Sequence, residues 1–307
     1  MDDKEKQPVI RTDSEVSRDT GSVGSQDRPT RLPVEITDKG YALGEKIGSG
    51  GYATVYKATC SKMPDKQLAC KYFDLTNNQQ IVWREKCLKN ELKIVRKHKH
   101  QHIVRTYDVF KTSHHAYIFM DFLANGSIGD YLERKKRPID EKRAKKWSHD
   151  MLEALVYLHS KGVAHRDIKP DNIMLDNDFS DALLTDFGFS CCLTNNPSDR
   201  LMKGTICGTP IYSAPEVLSL AEGMAYDAKQ ADMYSMGVTL FEMLDYDKPF
   251  GNSVEKTMDY VSKQINRKYK FKKDVSLVAQ SLCNSLLEPK PDKRMTSSAA
   301  LEHNWFK

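Results

Sequence analysis

The chain has 307 residues, 47 of them Lys or Arg against 42 Asp or Glu, and 39% are hydrophobic. That is enough apolar material to bury a core in one large domain or two lobes, and it excludes a wholly disordered chain. The net charge of +5 is mixed along the sequence, which argues against a nucleic-acid partner, and no apolar run of about eighteen residues suggests a membrane span or a secretory leader.

Residues 1–40 are poor in aromatic residues and rich in Ser, Thr, Asp and Arg, so a disordered tail is expected there. From Tyr41 the texture changes. Leu43 to Ile47, Tyr52 to Thr59, Gln67 to Phe73, Arg105 to Lys111 and Ala116 to Asp121 are short β-branched or aromatic runs that read as five strands. Between the third and fourth, Leu88, Leu92 and Val95 recur at helical spacing within Arg84 to Lys97. After Gly126 the pattern is mostly helical. Ala144, Trp147, Met151, Leu155 and Leu158 form one apolar stripe, and Asp232 to Leu244 is apolar nearly all round, as suits a buried helix. The expected fold class is α+β, a five-stranded lobe with one helix joined near residues 120–125 to a larger helical lobe. Seven cysteines scattered from Cys60 to Cys283, without paired metal-ligand spacing, read as reduced thiols, and the expected location is cytoplasmic.

Three features carry chemistry. Ile47-Gly48-Ser49-Gly50-Gly51-Tyr52-Ala53-Thr54-Val55 is a glycine-rich turn between strand-like runs, where backbone N–H groups can approach phosphate oxygens; a ligand-free glycine hairpin is the competing reading. Lys71 stands inside the apolar run Leu68-Ala69-Cys70-Lys71-Tyr72-Phe73, and Glu91 lies near the inward stripe of its helix between Leu88 and Val95. The two can pair, or both can be unrelated surface charges. Finally, His165-Arg166-Asp167-Ile168-Lys169-Pro170-Asp171-Asn172 is followed by Asp186-Phe187-Gly188. Two carboxylates and an amide on loops around apolar strands suit a hard cation, with one acid left over for a hydroxyl proton.

In this order, and with Ala214-Pro215-Glu216 further on, these elements resemble the eukaryotic protein kinases over Tyr41 to Phe306. The resemblance implies a two-lobed kinase domain over residues 41–306, with ATP and Mg²⁺ as cofactors and Ser or Thr hydroxyls of proteins as acceptors. The glycine turn, residues 47–55, would cover the phosphates. Lys71 would grip them while paired with Glu91. Asp186 and Asn172 would hold Mg²⁺. Asp167 would accept the hydroxyl proton and Lys169 would neutralise the transferred group. Ile47, Val55, Ala69 and Met174 would line the adenine slot, with Met120 at its rear and the backbone near Asp121 and Leu123 supplying hydrogen bonds. Glu216 would pair with Arg294, and Asp232 would brace the catalytic loop.

Lys169 and Gly208-Thr209-Pro210 look like the serine/threonine branch. Arg166 before Asp167 suggests control by a phosphorylated activation segment, with Thr205 the expected phosphosite; an unmodified loop threonine is the alternative. Arg105 to Phe110, Asp186 to Ser190 and Thr205 to Gly208 look most like the testis-specific kinases of the calcium/calmodulin-dependent group. The sequence ends soon after the last helix, so control is expected from the activation segment, the tail, an upstream kinase or a chaperone. Three positions depart from the family pattern: Ala53 replaces the third glycine, Tyr234 stands where many relatives have Trp, and Ser127 stands where basophilic relatives place a glutamate. Asp171 and Glu242 remain as acids for a basic substrate. Arg134-Lys135-Lys136-Arg137 with Lys142, Arg143, Lys145 and Lys146 resembles a nuclear-import signal, although a solvated helix face reads the same way.

Overall fold

The computed structural model describes residues 32–51, 53–76, 81–193, 201–203, 207–221 and 224–307. A short helix α1 (Val34–Thr37) precedes strands β1 (Tyr41–Ser49), β2 (Thr54–Cys60) and β3 (Leu68–Asp74). Helix α2 (Ile81–Lys97) follows, then β4 (Thr106–Lys111) and β5 (His115–Asp121). The five strands form one antiparallel sheet in the order β1-β2-β3-β5-β4.

Alternation along these strands sorts the side chains onto two faces. Leu68 and Cys70 of β3 join Tyr117 and Phe119 of β5 in an outer cluster, whereas Phe73, Ala116 and Ile118 face Cys87 and Leu88 of α2. The outer face is apolar and has to be covered. The segment just ahead of β1 covers it: Ile36 is fully buried and Leu32 packs beside it. Tyr41 stacks on Phe119 with centroids 4.0 Å apart, and both Tyr41 Oη and Lys39 Nζ reach the Asp108 carboxylate. The expected tail boundary at residue 40 is therefore too late, because residues 32–40 belong to the folded lobe. A four-residue helix shows too little periodicity to be read from sequence.

The helical lobe opens with α3 (Ile128–Lys135) and α4 (Glu141–Ser160), capped by Ser127 and Asp140. Two-stranded pairs follow: β6 (Val163–Ala164) with β9 (Cys191–Cys192), and β7 (Ile173–Leu175) with β8 (Ala182–Leu184). Strand β10 (Leu201–Lys203), helix α5 (Pro215–Leu218) and strand β11 (Ala225–Asp227) lead to α6 (Ala228–Asp245). Helices α7 (Thr257–Ile265), α8 (Leu277–Leu286) and α9 (Ser297–Leu301) complete the lobe.

Helix α6 is buried along almost its whole length, as its all-round apolar sequence demands. Its Gly237 admits α8 at close range, since an added Cβ would lie 2.8 Å from Leu286 Cβ. Beside it, Arg294 clamps Glu216 through two bonds of 2.7 and 3.0 Å and also donates to the carbonyls of Gln230, Glu288 and Pro289. The guanidinium stacks on Tyr234 at 4.9 Å, so the tyrosine that replaces Trp serves as a platform for the arginine. The cysteines of the described residues are free thiols, as expected. No helix among those residues is long and apolar enough to cross a membrane.

Ile36→Ala should lower unfolding stability by about 2–4 kcal/mol in urea titration, whereas a loss under about 0.5 kcal/mol would show that α1 is not part of the core. Glu216→Ala leaves the buried Arg294 without its counter-charge. It should cost about 3 kcal/mol in the same measurement, with Glu216→Asp recovering part of it.

Candidate active site

Strand alternation decides where Lys71 points. It sits opposite Val55 and Ile118 in the register, on the face that looks toward α2. Glu91 lies three residues beyond Leu88 on α2, hence on the same inward stripe. The two meet: Lys71 Nζ lies 2.8 and 2.9 Å from the Glu91 carboxylate oxygens and 3.0 Å from Asp186 Oδ1. The side chains of Lys71 and Glu91 are only 9% and 3% exposed, which rules out the reading of two unrelated surface charges. Burial pushes Glu91 up to about 7, against the Lys71 ammonium that holds it down. Burial disfavours the Lys71 ammonium, but the carboxylates of Asp186 and Glu91 outweigh that and keep it charged.

Asp167, Lys169 and Asn172 form a second cluster. The Asn172 amide donates to Asp167 O at 2.8 Å and to its Oδ2 at 2.9 Å, which leaves the Asn172 oxygen for another partner. Asp167 Oδ1 accepts from both the backbone N–H and the hydroxyl of Thr209 at 3.0 Å. Lys169 Nζ reaches Thr209 Oγ1 at 2.7 Å and Asp167 Oδ2 at 3.2 Å. A carboxylate, an ammonium and an amide oxygen thus converge on one small region.

The loop that carries Asp167 is held from below. Asp232 of α6 accepts the N–H groups of His165 and Arg166 at 2.8 and 2.7 Å and the His159 ring at 3.0 Å. This is the bracing role expected of it. Arg166 and Asp186 are both left-handed, with φ of 68° and 63°, a conformation that costs of order 1–3 kcal/mol for a side-chain-bearing residue. His165 Nε2 bonds Thr185 O at 3.0 Å, and its ring packs edge-on to the buried Phe187 at 5.1 Å. These contacts fix the segment that presents Asp186.

The glycine turn closes through Gly50 N–H to Ala53 O at 2.9 Å, with Ser49 opposite Thr54 and Gly48 opposite Val55. Among the described residues, a Cβ added to Gly48 or Gly50 would meet nothing nearer than 3.8 Å, so their packing does not require glycine there. Space is left for an outside group. Ala53 packs against the cluster of Phe73, Leu88 and Ile118, which accounts for a methyl at the third glycine position. Val55, Ala69 and Met120 share the face of Lys71, with Ala69 directly opposite Met120. Ile47 is 41% exposed on β1, and Met174 is half-buried on β7 in the other lobe. Asp121 commits its N–H to Arg105 O and its carboxylate to Tyr107 Oη, while Leu123 O accepts from Gly126 N–H. Gly51 ends the described part of the turn, and Tyr52 and Thr205 lie outside the described residues.

Two working residues were not given roles from sequence. Thr209 was read only as a branch marker, yet it orients Asp167 and Lys169 together; the signal was its place beside Gly208. That glycine has φ of +90°, and an added Cβ would lie 2.4 Å from Arg166 O, so only glycine lets the segment close on the loop. Ser127 is a buried N-cap whose hydroxyl accepts from Asp130 N–H at 3.0 Å, a structural task rather than a surface one. In the basic run, Arg143 donates to Tyr131 Oη, and Lys146 is held by Asp150 and Asp181.

Comparison with known proteins agrees with this geometry. Residues 41–306 match the protein kinase domain family. The chain is 36% identical over 272 residues to CBL-interacting protein kinase 4 of Oryza sativa subsp. japonica, covering 87% of this chain and 58% of that protein. It is 33% identical over 270 residues to testis-specific serine/threonine-protein kinase 1 of Homo sapiens, covering 87% and 72%. It is 32% identical over 277 residues to maternal embryonic leucine zipper kinase of Danio rerio, covering 89% and 39%. The chain spans about three fifths of the length of several such relatives, such as the 58% of the rice protein. The testis-specific kinases indicated by the sequence motifs are among the relatives, at an identity close to that of the plant kinases. With the matched domain covering the ion-paired lysine, the braced loop and the glycine turn alike, the chain belongs to the protein kinase family.

Proposed function

We propose that the chain is an ATP-dependent serine/threonine kinase that transfers the γ-phosphoryl group to hydroxyls of protein substrates. The observation that carries this reading is the convergence of Lys71, Glu91 and Asp186 in one cluster and of Asp167, Lys169, Asn172 and Thr209 in another. A degraded scaffold of the same family would be expected to lack one of these groups.

The donor set fits a nucleotide with hard divalent cations. Asp186 and the free oxygen of Asn172 are oxygen ligands of the kind Mg²⁺ takes, and the open space over Gly48 and Gly50 suits phosphate oxygens close to the backbone. Metal-bound ATP supplies the transferable phosphoryl group and screens its charge. The rest falls to the protein. Lys71, kept cationic by its two carboxylates, binds phosphate oxygens, and Glu91 holds it in place. Asp167, fixed by Thr209 and Asn172, accepts the proton of the attacking hydroxyl at a lone pair those bonds leave free. Lys169 adds positive charge where the transferred group passes. Val55, Ala69 and Met120, with Ile47 and Met174, form the adenine slot, and the C=O of Asp121 and the N–H of Leu123 supply its edge bonds. Most of the rate then comes from positioning and fixed charge.

Arg166 supports control through the activation segment. Its Nε donates to Phe189 O at 2.7 Å, while its buried Nη1 finds no partner among the described residues. Phosphorylated Thr205 would supply the missing acceptor, with an upstream kinase as its source or this chain itself; a chaperone is a further partner in this scheme.

Asp167→Ala should lower kcat for phosphate transfer from labelled ATP to a generic protein acceptor by about 10²–10⁴, with the circular dichroism spectrum unchanged. Retention of the parent rate would remove Asp167 from the mechanism. Thr205→Ala should reduce activity by about tenfold or more and abolish phosphate recovered at that position by mass spectrometry. Full activity together with unchanged phosphate incorporation would rule out the switch.

A further inference from the structure

Carboxylates beside Asp167 would favour basic side chains near the accepting hydroxyl, and Asp171 and Glu242 are such acids among the described residues. The structure treats them differently. Asp171 is exposed in the 3-10 turn Pro170–Asn172, which lies against the first turn of α3, so that a Cβ on Gly129 would come within 2.9 Å of its Oδ1. Glu242, near the end of α6, is already taken. Its Oε2 accepts from Tyr212 Oη at 2.7 Å and its Oε1 from Lys248 Nζ at 2.8 Å. The Lys248 and Glu242 side chains are only 17% and 13% exposed.

The local chain path explains the pair. Helix α6 ends where Tyr246 turns left-handed, φ 64°, and returns its N–H to Glu242 O at 2.8 Å. That reversal brings Lys248 back over the last helical turn, with its ammonium 5.7 Å from the centroid of the Tyr212 ring. Tyr212 lies in the 3-10 turn Pro210–Tyr212, directly after Thr209, the residue that orients Asp167. Burial first, then the charges of Glu242, Asp171 and Asp167, suppress ionisation of the Tyr212 phenol, so these three carboxylates share one neighbourhood.

We propose that Lys248 is a specificity-determining residue, an internal counter-ion that occupies Glu242 in place of a basic substrate side chain. The inference deepens the kinase reading and rests on it for its biological meaning. A substrate guanidinium could reach Glu242 only by displacing an ammonium that is already desolvated and hydrogen-bonded. It would leave Lys248 unpaired, so the gain at Glu242 is cancelled by the loss at Lys248. Substrates are thus not selected for arginine at the subsite that Glu242 faces.

The test uses the full chain and fluorescent serine peptides in pairs. Each pair differs by arginine or alanine at one position before the acceptor, and all the preceding positions are scanned for binding by anisotropy. In the parent protein, Glu242→Gln should leave every arginine-to-alanine affinity ratio unchanged. Lys248→Met keeps the stem over Tyr212 and removes the charge. It should raise the ratio about tenfold at one position, Lys248→Arg should not, and Glu242→Gln added to Lys248→Met should erase the gain. The proposal is overturned if Lys248→Met creates no arginine preference at any position, or if the parent already shows one that Glu242→Gln abolishes. The kinase reading fails in a different way, through absence of phosphate transfer to every peptide, and the binding ratios report on Lys248 regardless.

Discussion

The Lys71 ammonium, 2.8 Å from Glu91 and 3.0 Å from Asp186, joins three segments: β3, α2 and the loop after β8. Moving an ammonium and a carboxylate out of water costs several kcal/mol per ion, and their attraction only roughly offsets it. An apolar trio of similar volume would hold these segments at least as well. The cluster is therefore better explained by chemistry than by stability. It keeps one positive charge, with two acceptors fixed about it, at the edge of the space over the glycine turn. Helix α2 has to pack with Leu88 and Cys87 against Phe73 and Ile118 for Glu91 to arrive there, so the inner core of the sheet and the polar cluster depend on one another.

A second constraint works from beneath. Asp232 sits on a helix buried along most of its length and spends both carboxylate oxygens on the His165 and Arg166 amides. Those two bonds, with His159 behind them, hold the loop in a conformation that includes a left-handed arginine. The strain is sustained because the surrounding contacts over-determine it. Rigidity of α6 passes to the loop of Asp167 through this carboxylate, and Thr209 aligns Asp167 directly. At its far end, α6 carries Glu242, so one helix supports the loop and also sets the charge beside it.

Much of the fold was legible because its signals are local. The five strands are visible as β-branched and aromatic runs, and the structure shifts their ends by no more than two residues. Helix α4 and the buried helix α6 follow from the spacing of their apolar residues. The polar positions of the site were legible from order rather than proximity: a lysine inside an apolar strand, a glutamate on an apolar stripe and two aspartates on loops each break the local pattern, and such breaks cluster where function overrides packing. Residues 32–40 were missed because a four-residue helix and two apolar contacts leave no periodic trace. Thr209 was undervalued because hydroxyls are common and its partners Lys169 and Asp167 lie 40 and 42 residues back along the chain. Ser127, by contrast, caps Asp130 within its own helix, a local spacing that could have been read.

The sequence by itself indicated the apolar faces of the strands and of α4 and α6, and singled out candidate groups for phosphate, cation and hydroxyl. Periodicity and residue chemistry act within a few positions of the chain and so can be read along it. Only the tertiary structure decided which of those groups meet. Lys71 and Asp186 are brought together across a long stretch of chain, whereas Glu242 is removed from the free acids by Lys248, only six residues away. Pairing depends on where a chain reversal or a packed helix delivers a side chain. That direction is set by the whole core, and no short window of residues contains it.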